Sequence, residues 1–362
     1  MELFTKIDIP ASSTRIDYTS RIAFFGSCFA DNISEQFAAR KFDVLANPFG
    51  TVYNPVSIAR QIRAIADGKV FGESDVFQDA RGLQDVSGKQ DARGSWYSWN
   101  AHGSLSGATR EECIAKLNEA AKRTREFLRQ ADVVFITLGT AFVYYLKDAS
   151  ATTGNGDAHD RAVANCHRQD PALFERRMIT VEEAARALEN IVQDLHRLNP
   201  KSHIVFTVSP LRHMGDGAHN NTLSKATLQL AVNNVINKVT TVPSASSGTL
   251  PVSYFPSYEI VIDELRDYRF YADDMVHLSK TAEEYIFERM AESYCNEKTR
   301  KDIAQVEKFM RMASHRIADP ESPATHAFAE KILAQAKSLE SSISGLDLSE
   351  EITKFSKISG NP

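Results

Sequence analysis

Nowhere in this chain do 18 apolar residues run together, and the opening stretch, MELFTKIDIPASSTRID, has no apolar h-region. The sequence therefore predicts neither a membrane span nor a signal peptide. Cysteine is scarce. Cys28, Cys113, Cys166 and Cys295 lie far apart with no CxxC pair, which argues against a disulfide framework and suits reduced thiols in a cytoplasm. Basic residues are not in excess: 42 Lys and Arg against 47 Asp and Glu leave a net charge of −5, so no nucleic-acid footprint is expected. The ten histidines include no HxH or HExxH spacing, so no metal site is expected. No internal repeat is visible. What is present is ordinary for a globular domain: 43% hydrophobic and 25% charged residues over 362, enough for one large domain with or without an appendage.

The rest of the sequence is organised around Arg21–Asn32, RIAFFGSCFADN. Ile22–Phe25 is a short run of strand formers, Gly26 breaks it, Ser27 and Cys28 follow, and Asp31–Arg40 has amphipathic helical spacing. A strand that turns directly into a helix presents its turn at the carboxyl edge of a sheet, where open α/β folds bind ligands. The helix N-terminus there favours a thiolate or an oxyanion.

Further along, Lys41–Leu45, Val133–Leu138, Ile204–Val208 and Val252–Phe255 are the remaining strand candidates. Helical patterns alternate with them, including a Thr180/Glu183 capping box that opens a helix running to about Leu198. This alternation predicts a three-layer, doubly wound, mainly parallel five-stranded α/β sheet. Two irregular insertions interrupt it, at about 67–108 and 147–178. The first contains Trp96 and Trp99, either a sugar-stacking lid or a small core anchoring the insertion. The core domain is expected to span 1–296, followed by a C-terminal helical hairpin over 297–345 packed on it and a flexible tail over 346–362.

Asp274 and His277 lie after the last strand and directly before a helix beginning near Ser279. Three residues of separation allow the carboxylate to hold the imidazole in one tautomer, as the general base for a nucleophile requires. His102, His167 and His213 fall in loops expected at the same edge. His196, His203, His315 and His326 sit in or beside regular patterns and are expected to be structural. Arg212, after Ser209-Pro210, is a clamp for an anionic group or a plain surface residue.

The segments GSCFADNI, NPFGTVYNP, TLGTAFVY, VANCHR, TVSPLRH with NNTLSKA, and ELRDYRFYADDMVHLS together resemble the GSCFA family over roughly Leu3 to Leu333. That family is similar to the SGNH/GDSL hydrolases, which cleave or transfer acyl esters, often on carbohydrates, without a metal or organic cofactor. The resemblance puts the superfamily's nucleophile position at Cys28, with Ser27 in place of its aspartate, and the base pair at Asp274 and His277. It puts the second block's oxyanion glycine at Gly50. The third block falls on Gly139-Thr140-Ala141, so its asparagine is missing, and Thr140, Asn54, Asn165 and His167 are the candidates to replace it. Losing one oxyanion donor typically costs about 3 kcal/mol in the transition state. Three functions stay open: a hydrolase of small-molecule or carbohydrate esters, an acyltransferase using the same residues, and a non-catalytic binding module. Oligomeric state is not legible.

Overall fold

Side-chain alternation in strand β1 (Arg21–Gly26) means that both faces of its sheet are covered: Ala23 and Phe25 enter one core, Ile22 and Phe24 the other. The structure, a computed structural model, describes residues 5–79, 95–147, 162–241, 251–317 and 319–359. Residues 80–94 and 148–161 of the two insertions, 242–250 of the loop before the last strand, and 360–362 of the expected tail lie outside it.

Strands β1, β2 (Asp43–Ala46), β5 (Val133–Leu138), β8 (His203–Val208) and β9 (Val252–Tyr254) form a parallel sheet in the order β2-β1-β5-β8-β9. The chain leaves β1 toward β2 on one side and resumes at β5 on the other. The sheet is therefore doubly wound, with its switch point at the carboxyl ends of β1 and β5, where such sheets open a crevice.

Helices α2 (Pro55–Asp67), α3 (Arg110–Leu128), α4 (Val181–Leu198) and α5 (Ala218–Thr241) cover the Ala23 and Phe25 face. Helix α1 (Cys28–Ala39) covers the opposite face with the later helices α7 (Lys280–Tyr294), α8 (Glu297–Ala313) and α9 (Pro323–Ser342). The short α6 (Ser257–Glu259), which runs into a π turn over Ile260–Glu264, joins them.

Three expectations need correction. The helix expected from Asp31 begins at Cys28, because Gly26 alone makes the turn and Ser27 already takes the extended N-cap conformation. The second insertion is not irregular throughout: β6 (Phe142–Leu146) pairs antiparallel with β7 (Phe174–Met178), with Arg176 stacked over Phe142 and Tyr144. The first insertion needs no such correction: a passage of that length is expected to have a job or to form its own small hairpin, and β3 (Phe77–Gln78) pairs antiparallel with β4 (Trp96–Tyr97). Beyond α9 there is no free tail through 359 but a further helix, α10 (Ser349–Ser359), so the expected hairpin has a third helix. Leu346, Leu348 and Phe355 are buried in the second core, and that apolar triplet explains the packing.

Candidate active site

Gly26 sets the turn at the end of β1. Its φ is +134°, and a Cβ there would lie 2.0 Å from the Thr137 carbonyl oxygen of β5, so only glycine fits. Ser27 follows with its N–H on that same carbonyl, and Cys28 becomes the first residue of α1. The Ser27 Oγ is buried and has no hydrogen-bond partner among the described residues. The Cys28 thiol is half-buried.

The loop after β2 clamps this turn. Asn47 Oδ1 accepts from the Gly26 N–H at 2.8 Å, while its Nδ2 donates to Asp31 Oδ1 at 2.7 Å. Thr51 donates to the other Asp31 oxygen at 2.8 Å. Asp31 is thus fixed one helical turn from Cys28. Burial, and then the Asp31 carboxylate, push the Cys28 thiol above its ordinary value, against the opposing pull of the first helical N–H groups and Lys225. The expected stabilisation of a thiolate by the helix N-terminus is therefore outweighed in the free protein.

Backbone donors expected to face an oxyanion are already engaged. The N–H groups of Gly139 and Thr140 both donate to the Tyr53 carbonyl, at 2.8 and 3.0 Å, and the Gly50 N–H donates to Asn47 at 2.7 Å. Gly139 instead provides close packing, since a Cβ there would sit 3.1 Å from the Tyr53 ring and 3.2 Å from Ser27 Cβ. A Cβ on Gly50 would run into His102. Thr140 Oγ1 pairs with Ser224 Oγ, which also accepts from the Ala141 N–H at 2.7 Å. Asn54 caps α2 through the Ser57 N–H.

Lys225 is the residue that the sequence reading passed over. It is almost fully buried in α5, and its Nζ donates to the carbonyls of Gly139 at 2.6 Å and Ser209 at 2.7 Å, at the ends of β5 and β8. Burial pulls its pKa down to about 7, opposed by the attraction of Cys28 and reinforced by Arg212. The signal was present: Asn221, Ser224 and Lys225 continue the stripe on which Leu228, Ala231, Val232 and Val235 are buried. A lysine on the apolar stripe of a helix calls for an explanation. His213 belongs to the same neighbourhood. Its ring meets that of Tyr53 edge-on at 5.2 Å, and burial followed by the Lys225 charge lowers its pKa.

Asp274 and His277 form the expected pair. Asp274 Oδ2 is 2.6 Å from His277 Nδ1, and Asp274 Oδ1 caps the loop by accepting the N–H groups of Val276 and His277. The imidazole holds the Asp274 carboxyl down to about 2. Both side chains are about half exposed, and His277 Nε2 has no partner among the described residues. Ser279 caps α7, whose Glu283 accepts from Asn32 of α1 at 2.6 Å. This contact joins the first turns of α7 and α1, so the Asp274 loop and Cys28 lie toward the same end of the sheet.

Asn165 and His167 meet the tryptophan segment rather than the β1 turn. His167 Nε2 contacts the Ser98 carbonyl at 2.9 Å, its ring stacks on Tyr97 at 4.4 Å, and Asn165 Oδ1 accepts from the His167 N–H. Tyr97, Trp99, Val163 and Phe174 form a small separate core, and burial holds His167 down to about 4. The aromatic run therefore anchors the two insertions to each other. The module docks on the first turns of α2, where Ser57 Oγ donates to the Val163 carbonyl. His196 and His203 are structural as expected, with His203 held between Thr14 and Ser253.

Among the described residues, no three His, Cys, Asp or Glu side chains are grouped to hold a metal ion, and no helix is long and apolar enough to cross a membrane. Compared with known proteins, residues 21–290 match the model of the GSCFA family, and residues 306–358 match that of the GSCFA domain protein, C-terminal domain. No curated protein matches the chain.

Proposed function

Because the chain belongs to the GSCFA family, we propose that it is an SGNH-like acyl hydrolase of small-molecule or carbohydrate esters with Cys28 as nucleophile. His277 Nε2 takes the Cys28 proton as Sγ bonds to the ester carbonyl carbon. The tetrahedral adduct collapses, the carbon–oxygen bond breaks, and His277 returns the proton to the departing alcohol. Water then attacks the thioester, giving its proton to His277, and the acid leaves as Sγ regains a proton. Asp274 keeps the imidazole in the required tautomer and stabilises its charged form. The observation that supports this most is the Asp274–His277 pair at 2.6 Å, with Nε2 left open, in a loop whose following helix is tied to the first turn of α1. All four cysteines are free thiols, which suits a reducing compartment such as the cytoplasm.

A second reading is acyl transfer with the same residues, in which the Cys28 thioester passes its acyl group to an acceptor hydroxyl where water is kept from it. Incubation with p-nitrophenyl acetate and acetylated sugars, with and without added sugar acceptors, tests both. Steady release of acid supports hydrolysis, and release that depends on an acceptor supports transfer. No turnover with any of them leaves a non-catalytic binding protein.

A further inference from the structure

We infer that Lys225 is a functional member of this site, the buried cation that serves as the charge partner of the Cys28 thiolate. The inference rests on the reading of Cys28 as the reactive residue, but not on hydrolysis as the outcome. The geometry is that of a placed charge. Nζ bridges the Gly139 and Ser209 carbonyls at 2.6 and 2.7 Å, so it is fixed across the carboxyl ends of two adjacent strands. Gly139 packs against Ser27, the residue before Cys28. An ammonium has three donors, and these two carbonyls are its only hydrogen-bond partners among the described residues. That leaves one ammonium donor with no bond among the described residues. Among the described residues no carboxylate pairs with the ammonium, and burying a charge without one is costly.

The buried Ser27 Oγ beside this point is a second polar group with no partner among the described residues. Electrostatic reach between Lys225 and Cys28 runs both ways: each favours the charged form of the other. The other groups facing the pair are Asp31 on the cysteine's own helix, Tyr53 from the loop after β2, and Arg212 and His213 from the loop after β8. Of these, Asp31 opposes the thiolate, and Arg212 opposes the ammonium. Lys225 therefore works against burial and Asp31 at Cys28, lowering the cost of forming the thiolate without cancelling them.

The test is the pH profile of Cys28 alkylation by iodoacetamide, compared among wild type, Lys225→Met and Lys225→Arg. Loss of the charge should move the midpoint upward by about one unit, a roughly tenfold slower reaction at neutral pH, and Lys225→Arg should recover part of it. A folded Lys225→Met whose profile overlays wild type overturns the inference. Should Lys225→Met fail to fold, the same coupling is read from the opposite side by carbon-13 NMR of labelled lysine Cε in Cys28→Ala. The Lys225 titration should move to lower pH in that variant, and an unchanged titration overturns the pairing. Neither readout needs a substrate. A shifted profile without ester turnover would therefore keep the pair and reject the hydrolase reading.

Discussion

Asn47 donates to Asp31 at 2.7 Å while accepting from the Gly26 N–H at 2.8 Å, so one side chain fastens the turn before Cys28 to the carboxylate after it. Two of the segments that resemble the family, GSCFADNI and NPFGTVYNP, are thereby one structural unit. Asn47→Ala leaves the Gly26 N–H without its acceptor and should cost about 2 kcal/mol of stability in urea unfolding. A loss below a few tenths would mean that water replaces the bond easily.

Asp31→Asn keeps an oxygen for the Asn47 donor and turns an NH2 toward Thr51, whose hydroxyl can accept, but removes the negative charge that helps hold the Cys28 thiol up. Alkylation of Cys28 should therefore begin at lower pH in this variant than in wild type. A shift upward, or none, would show that Asp31 does not act on the thiol through its charge.

Gly26→Ala should be far more damaging than Gly139→Ala. At Gly26 an added methyl meets backbone at 2.0 Å in a positive-φ conformation, whereas at Gly139 it meets the Tyr53 and Ser27 side chains at 3.1 to 3.2 Å. The first should cost about 3 kcal/mol or more. The second should cost less stability but displace Tyr53 and Ser27, which thermal unfolding and reactivity of Cys28, measured side by side, will separate.

Acid should weaken the fold through its buried histidines. His203 has its pKa lowered by burial from 6.5 to about 4, so the unfolded chain takes up the proton first. Stability is then full above about pH 6.5 and falls as pH drops toward 4, by at most about 3 kcal/mol for a shift of this size. His203→Gln should flatten that part of the urea-midpoint profile between pH 7 and 4. An unchanged slope would assign the acid sensitivity elsewhere.

The sheet was legible because its strands are short apolar runs ending at glycine or Ser-Pro, a signal that survives without tertiary information. The Asp274–His277 pair was legible for a similar reason, since both partners lie in one loop. Lys225 was not, because its meaning depends on carbonyls 86 and 16 residues away in sequence. The commitment of the Gly50 and Gly139 N–H groups was hidden likewise, as a motif shows which residue is present and not what its backbone donates to. Helix α10 was missed because a polar stretch with one buried anchor, Phe355, resembles a frayed end.

The central claim is that Cys28, not Ser27, attacks. The most direct measurement is turnover of an ester accepted by the wild type, compared in Cys28→Ala and Ser27→Ala, with His277→Ala as the base control. The account predicts that Cys28→Ala loses on the order of a thousandfold or more, that His277→Ala falls with it, and that Ser27→Ala keeps substantial activity. Full activity in Cys28→Ala together with a dead Ser27→Ala would contradict it and make Ser27 the nucleophile.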